Sequence, residues 1–155
     1  MSEEIFSYRY WEKNISQLNK LYKNAEPYSH GIYDDFLNDE ILDQALAEFP
    51  KIDSAEWKKY RHVNSKKFQK SDRKEFPATI GAIMDELNSE RFVSWLSKLT
   101  GIQNLLPDDT LSGGGMHQSE RGGFLNIHVD FTVHPADAYL RRRVNVLVYL
   151  NKDWQ

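Results

Sequence analysis

Gly122-Gly123-Phe124-Leu125-Asn126-Ile127-His128-Val129-Asp130-Phe131 is the stretch that decides the predicted fold. Apolar and polar residues alternate along it, which is typical of a β-strand, because successive side chains point to opposite faces of a sheet. One face of a strand over 124–131 is uniformly apolar and consists of Leu125, Ile127, Val129 and Phe131. The other face carries Phe124, Asn126, His128 and Asp130. The stretch therefore predicts a strand that presents an imidazole and a carboxylate side by side.

His128 and Asp130 have the spacing of two ligands for one metal ion. A His-x-Asp triplet is expected about 0.4 times by chance in a chain with 5 His, so the spacing alone is weak evidence. A strand conformation strengthens this evidence, because residues two apart on a strand point the same way and can take adjacent positions on one metal. Two His and one carboxylate on one side of Fe(II) leave other positions open, as in non-haem oxygenases. The alternative is a hydrogen-bonded pair inside a sheet.

Composition limits the classes of protein to consider. The chain has 155 residues, 40% of them hydrophobic and 28% charged, which fits one globular domain with a core. The net charge of −3 gives no overall attraction to nucleic acid or anionic membranes. The absence of cysteine excludes disulfides and thiolate metal sites. There is no apolar run of roughly 20 residues, and the start, Met1-Ser2-Glu3-Glu4, is acidic, unlike a secretory signal. We expect a cytoplasmic protein without membrane or nucleic-acid partners.

Helical periodicity dominates the first two thirds of the chain. Apolar residues three to four apart predict amphipathic helices. Their apolar stripes lie over 5–24, 41–49, 80–87 and 92–99. Asn38 and Ser89 are suited to cap the second and fourth helices, while Pro50 and Gly101 are suited to end them.

The segments between these helices give weaker signals. An aromatic run favours a short strand within 27–36, and at most short strands are expected near 57–61 and 66–69. The stretch 51–75 is dense in Lys and Arg. It is interpreted either as a solvated surface meander or as a substrate-facing loop.

Strand-like alternation returns after Gly101. A second strand is predicted over 143–150, with Arg143, Asn145, Leu147 and Tyr149 on its partly polar face. If the two strands share a sheet, one pocket is lined by Asn126, His128, Asp130, Asn145 and Tyr149. Helices followed by strands predict an α+β fold with helices on one side of a sheet. We expect a single domain over 1–155, helical to about residue 101 and β-rich over about 102–155.

Several other residues are candidates for the same site. His117 and His134 could each complete a three-ligand metal site, although His134 precedes Pro135 and favours a turn. Arg141 to Arg143 offer charge for an anionic ligand or form an exposed turn. Gly113 to Gly115 lack the Lys-Ser/Thr of a phosphate loop, so they favour a bulge or a close backbone approach.

The segments Leu111–Gln118, Gly122–Phe131 and Arg142–Trp154, taken in order, resemble a known family. Shorter likenesses near residues 36–40 and 99–102 extend the match over most of the chain. The family is the prolyl 4-hydroxylase-like branch of the Fe(II)/2-oxoglutarate dioxygenases. The segment Tyr149-Leu-Asn-Lys-Asp-Trp154 is similar to the matching strand end of the prolyl hydroxylases that act on hypoxia-inducible factor.

The resemblance implies a fold, a chemistry and a set of site residues. The fold would be a partial double-stranded β-helix, of jelly-roll or cupin-like type, with N-terminal flanking helices. The cofactor would be Fe(II), with 2-oxoglutarate and O₂ as co-substrates, ascorbate as an accessory reductant and a small-molecule or peptidyl substrate. His128 and Asp130 would be the catalytic metal ligands. The residues expected at the co-substrate are Tyr149, Asn145, Gln118 and Asn126.

The chain also departs from the family pattern. Members take a further His ligand, and a Lys or Arg for the co-substrate, from a segment that would follow Gln155. We therefore expect a C-terminally truncated fragment with weak iron binding, little turnover and open sheet edges suited to homo-oligomer pairing. One alternative is a non-catalytic β-helix module for binding or oligomerisation. Another is a cupin-like zinc or manganese enzyme.

Overall fold

The computed structural model describes residues 4–53 and 57–152. The chain contacts form two compact units. Unit 1 consists of residues 1–48, 79–109 and 150–155, and unit 2 of residues 49–78 and 110–149. This division differs from the predicted boundary near residue 101, because a β-hairpin of unit 2 precedes two of the helices. A single domain over 1–155 stays a prediction.

Unit 1 is helical and is built on an aromatic core. Its helices are α1 (Tyr8–Lys13), α2 (Ile15–Asn24), α3 (Asp39–Glu48), α4 (Ala78–Leu87, whose first residue belongs to unit 2) and α5 (Glu90–Thr100). Phe6, Phe92 and Trp95 are almost fully buried. Their rings contact one another edge-on or tilted at centroid distances of 4.9–5.5 Å. Such contacts add to the free energy gained by burying the rings.

The predicted helix ends are confirmed where a side chain or a glycine sets them. The Asn38 side chain accepts hydrogen bonds from the backbone N–H groups of Glu40 and Ile41 at the start of α3. The Ser89 hydroxyl accepts from Phe92 N at 3.1 Å at the start of α5. Gly101 ends α5 with φ at +74°. These contacts satisfy backbone groups that a helix leaves unpaired at its ends.

Two predictions for the first forty residues were wrong. The helix predicted over 5–24 is two helices, because Asn14 adopts a turn conformation and its side chain bonds to the Tyr10 carbonyl. The strand predicted within 27–36 is not formed. Asp35 there has φ at +53°, which is incompatible with extended backbone.

Unit 2 contains a small antiparallel sheet with β2 at its centre. The strands are β1 (Lys58–His62), β2 (Ser65–Lys70), β3 (Met116–Gln118) and β4 (Phe124–Leu125). β1 pairs with β2 along one edge, while β3 and β4 pair with successive parts of the other edge. A separate hairpin joins β5 (Val133–His134) to β6 (Asp137–Arg141). The short strands predicted near 57–61 and 66–69 are therefore confirmed.

Gly115 allows β3 to begin close to β2. A Cβ at this position would lie 2.3 Å from the Lys70 carbonyl oxygen, and φ is +101°. A side chain would be excluded by both constraints. The prediction that the glycine run permits a close backbone approach is thus confirmed at Gly115.

The strand predicted over 124–131 forms only at Phe124–Leu125. Leu125 pairs with Ser65, the first residue of β2, so the following residues run past the end of that strand. Asn126 N bonds to Asn64 O in the β1–β2 turn, and among the described residues none pairs with 127–131 in a ladder. The expected apolar face consequently faces solvent, with Ile127 fully exposed and Val129 88% exposed.

The strand predicted over 143–150 is not formed either. Among the described residues, none pairs with this segment in a sheet. Leu147 is 67% and Tyr149 79% exposed. The alternation in the sequence is present, but without an adjacent strand it produces no ladder.

At the level of fold class, the α+β prediction is confirmed. The described residues form helices and small antiparallel sheets that do not close into a barrel. Across residues 4–53 and 57–152, no helix is both long enough and apolar enough to cross a bilayer.

Candidate metal centre

His128 and Asp130 lie together in unit 2, on the irregular segment after β4. The distance from His128 Nε2 to Asp130 Oδ1 is 3.3 Å, and the two side chains are 43% and 40% exposed. The predicted juxtaposition of imidazole and carboxylate is therefore present, although a regular strand does not produce it.

The other ring nitrogen of His128 is fixed by the backbone. Nδ1 lies 2.8 Å from the carbonyl oxygen of Asn126. A carbonyl can only accept, so Nδ1 carries a proton and donates it. In the neutral ring, Nε2 then presents its lone pair to Asp130. This is the arrangement in which a histidine binds a metal through Nε2 while its other nitrogen holds the ring in place.

The second carboxylate oxygen of Asp130 is also held. Asn145 Nδ2 donates to Oδ2 at 3.0 Å, and the Arg142 guanidinium lies 3.3 Å from the same oxygen. Arg142 in turn donates to the Asn145 side-chain oxygen and stacks over the Phe131 ring at 4.8 Å. Oδ1 is thus left to face His128, while Oδ2 is anchored by neutral and cationic donors.

The pair has the spacing that a metal ion requires. Metal–nitrogen and metal–oxygen bonds of about 2.0–2.2 Å that meet at about 90–110° place the two ligand atoms about 3.0–3.4 Å apart. The distance of 3.3 Å lies in that range. A lone pair on Nε2 and a carboxylate oxygen repel each other unless a cation lies between them. A metal ion or a second ring proton supplies that cation.

The other residues predicted at the site are distributed differently. Asn145 contacts Asp130 as described above. Asn126 donates to the Val63 carbonyl at 3.2 Å, and Gln118 donates to the Pro50 carbonyl at 3.0 Å. Both amides therefore contribute to the fold of unit 2, while Tyr149 is largely exposed.

His117 lies near the pair, on β3. Desolvation by surrounding protein atoms lowers the pKa of His117, although much of the residue surface is exposed. The positive charge of the Lys67 ammonium lowers this pKa further. Arg142 also lowers this pKa, and Asp130 raises it, so both charges are close to the ring. Its Nδ1 lies 3.4 Å from Lys67 Nζ.

His134 is located in the β5–β6 hairpin, as its position before Pro135 predicts. Its Nδ1 accepts from Ala136 N, and its Nε2 lies 3.2 Å from the Thr110 hydroxyl. Within the part of the chain that the structure describes, no group of three His, Cys, Asp or Glu side chains is arranged to hold a metal. The described site thus offers two ligands.

The sequence pattern did not predict that Arg142 and Lys67 lie near the site. The sequence singled out Arg141 to Arg143 only as a charge run, and it is Arg142 that contacts Asp130. Its position next to the end of β6 is set by the pairing of β5 with β6, which the sequence did not predict. A scan against models of protein families finds none that matches this chain, and a search of curated proteins finds no match either.

Proposed function

We propose that the chain carries part of the active site of an Fe(II)- and 2-oxoglutarate-dependent hydroxylase of the prolyl 4-hydroxylase-like type. His128 and Asp130 are its metal ligands, and the fold is the first part of a double-stranded β-helix. The observation that supports this most is the double anchoring of the pair. The far nitrogen of His128 and the far oxygen of Asp130 are both held, and the two near atoms face each other at 3.3 Å.

The residues present fit a divalent transition metal. One imidazole nitrogen and one carboxylate oxygen are ligands of the kind that non-haem Fe(II) uses, and two protein ligands leave several positions open. When bound, Fe(II) supplies the O₂ activation that removes hydrogen from a C–H bond and returns hydroxyl, coupled to decarboxylation of the co-substrate.

The side chains of the protein have defined tasks in this proposal. His128 and Asp130 hold the ion, and the Asn126 carbonyl keeps the Nε2 lone pair of His128 aimed at it. Asn145 and Arg142 restrict rotation of the Asp130 carboxylate. The Arg142 guanidinium adds a second, charge-assisted contact to the same carboxylate oxygen as Asn145.

The test is anaerobic addition of Fe(II) and 2-oxoglutarate to the purified chain, followed by visible absorption spectroscopy. A metal-to-ligand charge-transfer band is expected in the wild type and is expected to be lost in His128→Ala. His134→Ala is the matched control, because it removes a histidine of the same unit that lies in the hairpin. Absence of the band, or a band that survives His128→Ala, contradicts the proposal. Metal analysis that finds zinc or manganese retained in place of iron indicates the cupin-like alternative.

A second candidate function is a binding or oligomerisation module without catalysis. The exposed apolar side chains of Ile127 and Val129, two residues apart in the chain, favour it, because exposed apolar patches mark interaction surfaces. Sedimentation velocity over a range of concentrations tests it. Self-association that Ile127→Asp and Val129→Asp abolish, with no charge-transfer band, supports this candidate, whereas a monomer at all concentrations contradicts self-association.

A further inference from the structure

The β1–β2 hairpin concentrates positive charge in an acidic protein. Residues 57–70 contain six Lys or Arg and no Asp or Glu, while the whole chain has a net charge of −3. Such a segment produces a local positive potential that the total charge does not reveal. Its two faces must be considered separately.

The strand register assigns the charges to faces. Lys58 and Tyr60 are two residues apart on β1, and Tyr60 is directly opposite Lys67 on β2. Gln69 is opposite Lys58 on one side and opposite His117 on the other. Directly opposed residues, and residues two apart, share a face. Lys58, Tyr60, Lys67 and His117 therefore lie on one face, and Lys59 lies on the other.

On that face, two ammonium groups lie close to one aromatic ring. Lys58 Nζ is 5.0 Å and Lys67 Nζ 5.6 Å from the centroid of Tyr60. Among the described residues, neither ammonium has a carboxylate within ion-pair distance. Two like charges held against one ring repel each other, and an anion between them would remove that cost.

The charged face borders the candidate metal centre. Lys67 contacts His117, whose ring is close enough to Asp130 and Arg142 to respond to both charges. A cavity of about 330 Å³ is lined by Lys58, Tyr60 and Gln69 and extends to Gly113. Lys67 is not among its lining residues, whereas Lys70 and Glu75 are, and these two pair with each other at 3.0 Å. A Cβ on Gly113 would lie 3.1 Å from Arg142 and from Phe131, so one lining residue of the cavity lies beside the arginine that contacts Asp130.

We propose that Lys58, Tyr60 and Lys67 form a carboxylate-binding subsite next to the His128–Asp130 pair. The ligand is a small molecule or peptide with a carboxylate, which the two ammonium groups bind while the phenol ring packs against its carbon chain. The cavity beside Lys58 and Tyr60 is of a size that suits a small ligand. The role of the subsite in hydroxylation rests on the function proposed above, but its affinity for carboxylates does not.

The test is a titration of the metal-free chain with succinate, followed by ¹H–¹⁵N NMR. Shifts are expected at residues 58–67 and 117, with affinity about tenfold or more weaker in Lys58→Met/Lys67→Met. Lys59→Met/Lys66→Met is the matched control, because it also removes two positive charges, but from the opposite face of the same hairpin. Lys59→Met alone removes one charge from that face. Both variants are expected to keep wild-type affinity.

A second arm identifies the source of the carboxylate. Weaker binding of 2-oxoglutarate to the Fe(II)-loaded Lys58→Met/Lys67→Met chain assigns the subsite to the co-substrate, and unchanged binding assigns it to the substrate. The subsite is rejected if succinate causes no shifts at these residues, or if the double variant binds it normally. It is also rejected if a single-stranded oligonucleotide binds more tightly than succinate and Lys59→Met weakens oligonucleotide binding as much as Lys58→Met/Lys67→Met does. Because the succinate arm contains no metal, failure of the iron proposal leaves its result unchanged.

Discussion

His128 and Asp130 differ from an ordinary surface ion pair in what holds their far sides. A typical exposed pair is free to rotate and contributes little stability. Here a backbone carbonyl fixes the imidazole, and Asn145 and Arg142 fix the carboxylate. The arrangement keeps two potential ligand atoms oriented toward one point, which is a requirement for metal binding rather than for stability.

Asn145 provides a prediction for metal affinity. Asn145→Ala removes the donor to Asp130 Oδ2, so the carboxylate gains rotational freedom and loses part of its orientation. We expect metal affinity to fall about 10–100-fold, as when other groups that orient ligands are removed. Titration with Co(II), followed by absorption, measures it. Gln118→Ala is the control, because that amide bonds to Pro50 O, and an equal loss in both variants would contradict the assignment.

His117 provides a prediction for pH. Its pKa is lowered, mainly by desolvation and by Lys67, so the unfolded chain binds this proton more readily than the folded one. Its contribution to stability is therefore fully present above the unfolded pKa of about 6.5 and is lost as pH falls through the lower folded value. An NMR titration should show the pKa of His117 below the usual value and raised by Lys67→Met. No response to Lys67→Met would contradict the proximity of the two groups.

At the scale of elements, the sequence predicted what local contacts determine. Asn38, Ser89 and Gly101 set helix ends through bonds to residues a few positions away, and these ends are where the pattern placed them. The predictions of strands over 124–131 and 143–150 were wrong, because alternation shows only which side chains could share a face of a strand. Whether a neighbouring strand exists is decided elsewhere in the chain, and β2 begins only at Ser65.

The start of β3 offers a prediction for stability. Gly115→Ala places a Cβ against the Lys70 carbonyl at a positive φ, whereas Gly122→Ala has a positive φ but no atom within 4 Å. We expect Gly122→Ala to cost about 1–2 kcal/mol through backbone strain, and Gly115→Ala a further ~1–3 kcal/mol through the steric clash. Urea unfolding of both variants measures the difference. Equal losses would show that β3 does not approach β2 this closely.

At the scale of the whole molecule, the site belongs to unit 2 alone. His128, Asp130, Asn145, Arg142 and His117 all lie within residues 110–149. The sequence predicted that His128, Asp130 and Asn145 lie together, and their side chains are in contact, although the shared sheet on which the prediction for Asn145 rested is not formed. It could not place Arg142 or Lys67, whose positions depend on the β5–β6 hairpin and on the register between β2 and β3.

The most direct test of the metal centre is paramagnetic broadening by Mn(II), a stand-in for Fe(II), in the ¹H–¹⁵N spectrum of the chain. At low Mn(II), we expect signals around His128, Asp130 and Asn145 to broaden first, and broadening there to disappear in His128→Ala/Asp130→Asn. Broadening centred on other residues, or broadening around residue 128 that the double variant leaves unchanged, would contradict the assignment of His128 and Asp130 as metal ligands.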